Sequence, residues 1–87
     1  MNAPSDDLLM RQVRSGDASQ LGLLFERHQA ALYGFYVRMT ADRQASEDLV
    51  QEVFFRILKY RHTYRDDGRY ITWMYYIARN VKADYLR

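Results

Sequence analysis

Trp73, Tyr76, Arg79, Asn80, Lys82 and Arg87 crowd the C-terminal end of this chain, and Tyr64, Arg65 and Arg69 lead up to them. As a set they suit an unpaired nucleic-acid strand. Flat rings offer stacking platforms to bases, cations hold phosphates whatever the sequence, and a carboxamide such as that of Asn80 can pair with a base edge. Residues 54–87 carry eight Arg or Lys against three Asp, with nine aromatic side chains interleaved, whereas residues 1–53 hold five Arg against eight Asp or Glu. The formal +2 of the whole chain therefore hides an acidic front and a basic, aromatic back. A tyrosine-rich core wrapped in solvated arginines has the same composition, so composition by itself leaves both readings standing.

Catalysis has weaker footing. It would need a nucleophile, a paired acid and base, or a metal cluster. The chain has no Cys, which removes disulfides and thiolate metal sites. Its two histidines, His28 and His62, are far apart, and His28 continues an apolar helical stripe, as a buried or boundary histidine does. Asp66-Asp67-Gly68 lacks the alternating oxygen ligands of a calcium loop and reads as a turn. The expectation is a protein that is no enzyme and holds no metal or cofactor.

These groups must be positioned by a small fold. Eighty-seven residues, 48% hydrophobic and 28% charged, make one globular domain that buries roughly 60–65% of its unfolded surface. No run approaches 18 apolar residues, and no basic-then-apolar segment opens the chain, so a soluble, cytoplasmic protein without membrane insertion is expected. With one Pro, four Gly and no sustained period-2 alternation, the predicted fold is all-α, a compact bundle of about four helices. Ser5 before Asp6 and Asp7 is an N-cap signal for a first helix over about residues 6–14. Asp17 can cap a second helix running to about Thr40 on the stripe Leu21, Leu24, Phe25, Leu32, Phe35, Tyr36 and Met39, in which Gly22 and Gly34 would permit close packing. A third starts near Asp42 or Ser46 and runs to about Tyr60, and a fourth from about Tyr70 to the end. The chain stops at Arg87 inside that helical pattern, so a longer natural protein is expected.

Each of the last two helices has a face without a core to bury in. In the third, Leu49, Val50, Val53, Phe54, Ile57 and Leu58 form the inward arc, while Asp48, Gln51, Glu52, Phe55 and Lys59 lie opposite. A ring centred among carboxylates and carboxamides fits an interface anchor for a basic partner, or else a solvated acidic face. In the fourth, Ile71, Met74, Ile77, Ala78, Val81 and Tyr85 are expected inward, with Thr72, Trp73, Tyr76, Arg79, Asn80, Ala83 and Arg87 outward. An outward indole either meets a partner or folds back over the connection before it.

Ala45-Ser46-Glu47-Asp48-Leu49-Val50-Gln51-Glu52-Val53-Phe54, followed by Ile71-Thr72-Trp73-Met74-Tyr75-Tyr76-Ile77-Ala78-Arg79-Asn80, resembles region 2 of bacterial sigma-70-family factors, most of all the small extracytoplasmic-function (ECF) group. Asp17-Ala18 to Tyr36 also resembles that domain's earlier helices, so the resemblance covers nearly all the chain, as one region 2 domain over 1–87. It implies a dissociable initiation factor that binds core RNA polymerase, then recognises and melts the promoter −10 element. Asp48, Gln51 and Glu52 match positions that dock on the clamp coiled coil of the polymerase's largest subunit. Trp73 matches an aromatic at the site of strand opening, and Asn80 with the connection before the fourth helix matches the part that captures a flipped non-template base. Tyr76 departs from the basic residue often found at its position. The family's second domain, a helix-turn-helix that reads the −35 element, has no counterpart here, and an anti-sigma factor is a further partner that the group implies. The competing class is a duplex-reading repressor or a helical protein-interaction module. A duplex reader presents a short turn and a recognition helix, whereas this outward face is rich in rings.

Overall fold

The computed structural model describes residues 3–87, which form four helices: α1 (Asp6–Arg14), α2 (Leu21–Thr40), α3 (Arg43–Lys59) and α4 (Tyr70–Tyr85). Single 3₁₀ turns at Ala18–Gln20 and Arg61–Thr63 precede α2 and follow α3. The all-α bundle read from the sequence is the observed fold. α1 starts where its signals lie, with Ser5 Oγ accepting the Leu8 amide at 3.0 Å and two acids in the first turn. It stops before Gly16, whose φ of +113° suits glycine alone. Asp17 sits ahead of the first 3₁₀ turn, and its carboxylate accepts the Ser19 hydroxyl and the Gln20 carboxamide.

The corner between α2 and α3 is two residues long. Ala41 takes the left-handed conformation (φ +53°) and returns its amide to the Val37 carbonyl at 2.9 Å. Asp42 then caps α3 by accepting the Ala45 amide at 3.1 Å, which selects the earlier of the two starts expected. Ser46 is no cap. It is fully buried, donates to the Asp42 carbonyl at 2.7 Å and lies 2.9 Å from the Thr40 hydroxyl, pinning the corner shut.

Leu9, Met10 and Val13 of α1, Leu24, Leu32 and Tyr36 of α2, and Leu49, Val50, Val53, Phe54 and Ile57 of α3 meet α4 in one core. Phe25 packs edge-on against Phe54, 5.1 Å between ring centres, and the buried Tyr36 hydroxyl donates to the Ala78 carbonyl at 2.7 Å, which ties α2 to α4. Two expectations about packing fail. The inward arc of α4 is Tyr70, Met74, Ile77, Ala78 and Val81, while Ile71 is 45% and Tyr85 48% exposed. Tyr70 takes the inward place at the helix start, and Ile71, about 100° further round, is turned out. Nor do the glycines of α2 admit a neighbour: a methyl group at Gly22 would meet nothing within 4 Å, and one at Gly34 only the end of Arg38, at 3.8 Å. His28 is the boundary residue expected, its Nε2 2.9 Å from Asp6 Oδ2 and its ring 5.5 Å from that of Tyr70.

Candidate functional site

The chain between α3 and α4 has one buried residue. Arg61 donates back to the Leu58 carbonyl and Thr63 to the Tyr60 carbonyl, which turns the chain at the end of α3. Tyr64 then drops inward to 3% exposure, its hydroxyl donating to Asp7 Oδ1 at 2.6 Å. Residues 65–69 stay exposed, turned by Gly68 (φ +72°) and by Asp67, whose side chain accepts the Arg69 amide at 3.2 Å. Burial pushes the Tyr64 phenol well above its ordinary range, and Asp7 adds to the effect. The Tyr64 hydroxyl in turn holds the Asp7 carboxyl below the usual carboxylate range, more than offsetting desolvation, and the Arg11 guanidinium at 3.0 Å helps.

Trp73 stands on this buried ring, edge-on at 5.2 Å between centres. Half-buried, it caps the core and also keeps part of the indole at the surface. Tyr64 is expected from the sequence among the strand-binding residues, but at 3% exposure its ring offers almost no surface for a base to stack on and only borders the smaller hollow. Its place is beneath the indole.

Two hollows flank Trp73 and Tyr76, and both of these residues line each one. The larger, about 520 Å³, lies against the end of α3 and is bordered by Arg56, Tyr60, Asn80, Asp84 and Arg87. The smaller, about 310 Å³, lies under the connection, bordered by Arg65, Asp67, Arg69 and Thr72 with Tyr64 as its floor. One strip thus gathers Arg65, Arg69, Trp73, Tyr76, Asn80 and Arg87. Arg79 and Lys82 are not part of it. Arg79 is exposed on the outer face of α4, one turn beyond Tyr76, but lines neither hollow, and the Lys82 ammonium lies 5.9 Å over the Phe35 ring of α2.

Arg56, Tyr60 and Asp84 also border the larger hollow, beyond the site residues expected from the sequence. Arg56 donates to Glu52 at 2.8 Å along α3 and pairs with Asp84 at 2.8 Å across to α4, with Arg87 3.7 Å from the same carboxylate. The hydrogen bonds that Arg56 donates to these carboxylates, Glu52 foremost, raise its pKa further against the cost of desolvation. Pairing with Arg56, and with Arg87 nearby, offsets part of the repulsion that the Asp84 carboxylate would exert on a phosphate in the larger hollow. The spacing Glu52 to Arg56 is a legible helical pair, but the reach to Asp84 is not.

On the other side of α3, Asp48, Gln51 and Phe55 are brought together on the solvent face, and Phe55 is 59% exposed. Asp48 accepts from the Gln44 carboxamide at 2.9 Å. Glu52 departs from this set, because Arg56 draws its carboxylate towards α4. Gln51 also borders a groove of about 450 Å³ between α2 and α3, with Phe25, Tyr33, Glu26 and Glu47 around it. Among the described residues no three His, Asp or Glu side chains are placed to hold a metal, and no helix is long and apolar enough to cross a membrane.

A family model described as Sigma-70 region 2 matches residues 24–87. The chain is 32% identical over 81 residues to the RNA polymerase sigma-H factor of Pseudomonas aeruginosa, an alignment spanning 93% of this chain and 42% of that relative. It is 38% identical over 65 residues to the ECF RNA polymerase sigma factor SigX of Bacillus subtilis, 75% of this chain and 34% of the relative. To the RNA polymerase sigma factor CarQ of Myxococcus xanthus it is 35% identical over 78 residues, 90% of this chain and 45% of the relative. The chain thus spans less than half the length of the curated relatives it matches. No solved structure matches it significantly.

Proposed function

This chain belongs to the sigma-70 family, as a region 2 domain of the ECF group, and from that premise we propose that it binds core RNA polymerase through α3 and opens the promoter −10 element on α4. One observation carries the reading: α3 turns Phe55 to solvent with Asp48 and Gln51 beside it, while α4 carries an aromatic ridge between two hollows with Arg65, Arg69 and Arg87 around it. The partner suited to the first face is a basic helical surface, the clamp coiled coil of the polymerase's largest subunit. Asp48 and Gln51 select it and Phe55 anchors it.

The second face suits the non-template single strand. Extruding a base costs a few kcal/mol, and stacking on an aromatic side chain returns about 1–3 kcal/mol per base. A ridge with a hollow on either side lets Trp73 and Tyr76 hold the strand while a base enters a hollow, with Asn80 at the edge of the larger one. Opening then needs no chemical energy source and no catalytic group, in keeping with a family of initiation factors rather than enzymes. The work is done in the cytoplasm, and an anti-sigma factor would silence the domain by covering either face.

A pull-down with core RNA polymerase, wild type beside Asp48→Arg, tests the first half. Binding of single-stranded and duplex −10 oligonucleotides by the polymerase-bound chain tests the second. Retention of Asp48→Arg at wild-type level, or a preference for duplex, would refute the corresponding half and favour a duplex-binding regulator.

A further inference from the structure

α1 lies outside residues 24–87, the part that matches the sigma-70 region 2 model, yet it grips the connection bordering the smaller hollow. Arg14 Nη1 donates to the Tyr64 carbonyl at 2.8 Å, and its Nη2 pairs with Asp66. Asp7 holds the Tyr64 hydroxyl from the other side at 2.6 Å, and is itself held by Arg11 at 3.0 Å. These contacts bracket Arg65, with the Tyr64 backbone and ring before it and the Asp66 side chain after it. Residues 65–69 are all exposed and contribute nothing to the core. A segment without apolar burial has little of its own to offset the backbone entropy of being fixed, about 1–2 kcal/mol per residue. Its shape is set by what holds its ends.

We propose that Asp7 and Arg14 are positioning residues for base selection: they fix residues 64–69 over the smaller hollow, so which unpaired base the hollow accepts depends on α1, although neither residue lines it. The inference rests on the reading of that hollow as a base site. It extends the base-reading apparatus to a helix that precedes the family-model match, though the alignments with full-length relatives run over it. Loss of either hook frees Arg65 and Arg69 from their places at the rim and loosens the floor beneath Trp73.

The test has two readouts, one independent of DNA. The first is hydrogen exchange of the hydrogen-bonded amides of the connection, those of Thr63, Tyr64 and Arg69, in the free chain. The second is the spread of affinities among four single-stranded −10 oligonucleotides, differing in one base, for the chain bound to core polymerase. Arg14→Ala and Tyr64→Phe are each expected to raise exchange at these three amides about tenfold, with α3 and α4 amides unchanged, and to compress the spread at least threefold. Arg14→Lys and Asp7→Asn, which keep a donor and an acceptor respectively, should recover part of both. A lesion that merely weakened the fold would raise exchange throughout and lower all four affinities together, and that pattern would overturn the proposal. Unchanged exchange in Arg14→Ala and Tyr64→Phe would overturn the brace itself. Raised exchange with an unaltered spread would overturn its role in selection. A wild-type chain with no base preference would remove the premise about the hollow, a failure told apart because the exchange result stands without it.

Discussion

Replacing Phe55 by alanine separates docking from folding, because most of the ring is already in water. A Phe, Tyr or Trp side chain buries roughly 150–250 Å² when fully covered. With Phe55 59% exposed, a partner can cover about 120 Å² more. At about 25 cal/mol per Å² that area contributes roughly 3 kcal/mol at most. Contact that covers half of it leaves about 1.5 kcal/mol, which is about tenfold in affinity. The fold should lose much less, on the order of 0.5 kcal/mol, as at other surface positions. Competition of the unlabelled variant against labelled wild-type chain for core polymerase measures the first quantity, and thermal unfolding followed by circular dichroism the second. An affinity within twofold of wild type, in a variant that melts normally, would refute the anchor. A parallel loss of melting temperature and affinity would show that the ring serves the core instead. Glu52→Gln offers a contrast: with its carboxylate already paired to Arg56, its first effect should be a looser α3–α4 contact, visible as reduced stability.

Trp73→Ala should lower stability by about 1–2 kcal/mol, since the half-buried indole rests on Tyr64, and also impair opening of duplex promoters; Trp73→Phe should keep most of the stability, and a template already bubbled at −10 should rescue only the opening defect. Binding of the polymerase-bound chain to single-stranded DNA should weaken with salt at a log–log slope of about −0.7 per phosphate neutralised, and Arg65→Ala, Arg69→Ala or Arg87→Ala should flatten it more than Arg79→Ala or Lys82→Ala. Asp7 has its pKa lowered on folding, so its contribution is complete above the unfolded value near 4 and is lost as pH falls through the lower folded one; Tyr64→Phe should remove part of that acid sensitivity in a melting-temperature profile from about pH 5 to 2. Tyr36, Tyr64 and Tyr70 have theirs raised, so the contribution they make while neutral is complete below about pH 10 and lost above it, and unfolding at alkaline pH should coincide with tyrosinate absorbance. Gly22→Ala should stabilise the chain by about 0.5–1 kcal/mol in denaturant titration, because the added methyl meets nothing.

The helices were legible because their signals are local. Ser5 with two acids behind it opens α1, a 3.6-residue apolar stripe carries α2, and the arc from Leu49 to Ile57 buries as its spacing demands. The exposed acidic face of α3 was legible for the same reason, since whatever lies opposite a core arc is left to solvent. So was the pairing of an indole and a carboxamide two turns apart on one flank of α4. What the sequence could not determine is which partner each side chain finds at long range. Tyr64 looked like one more ring of a strand-binding surface until Asp7, 57 residues away, was seen to hold its hydroxyl. Arg14 and the Tyr64 carbonyl are 50 residues apart, and Arg56 chooses Asp84 across a helix boundary. The small rotation of α4 that buries Tyr70 and turns out Ile71, and leaves Lys82 over Phe35, was likewise settled only by packing. Periodicity fixes which face of a helix is apolar, whereas the identity of the neighbour against it depends on how four such faces close around one core.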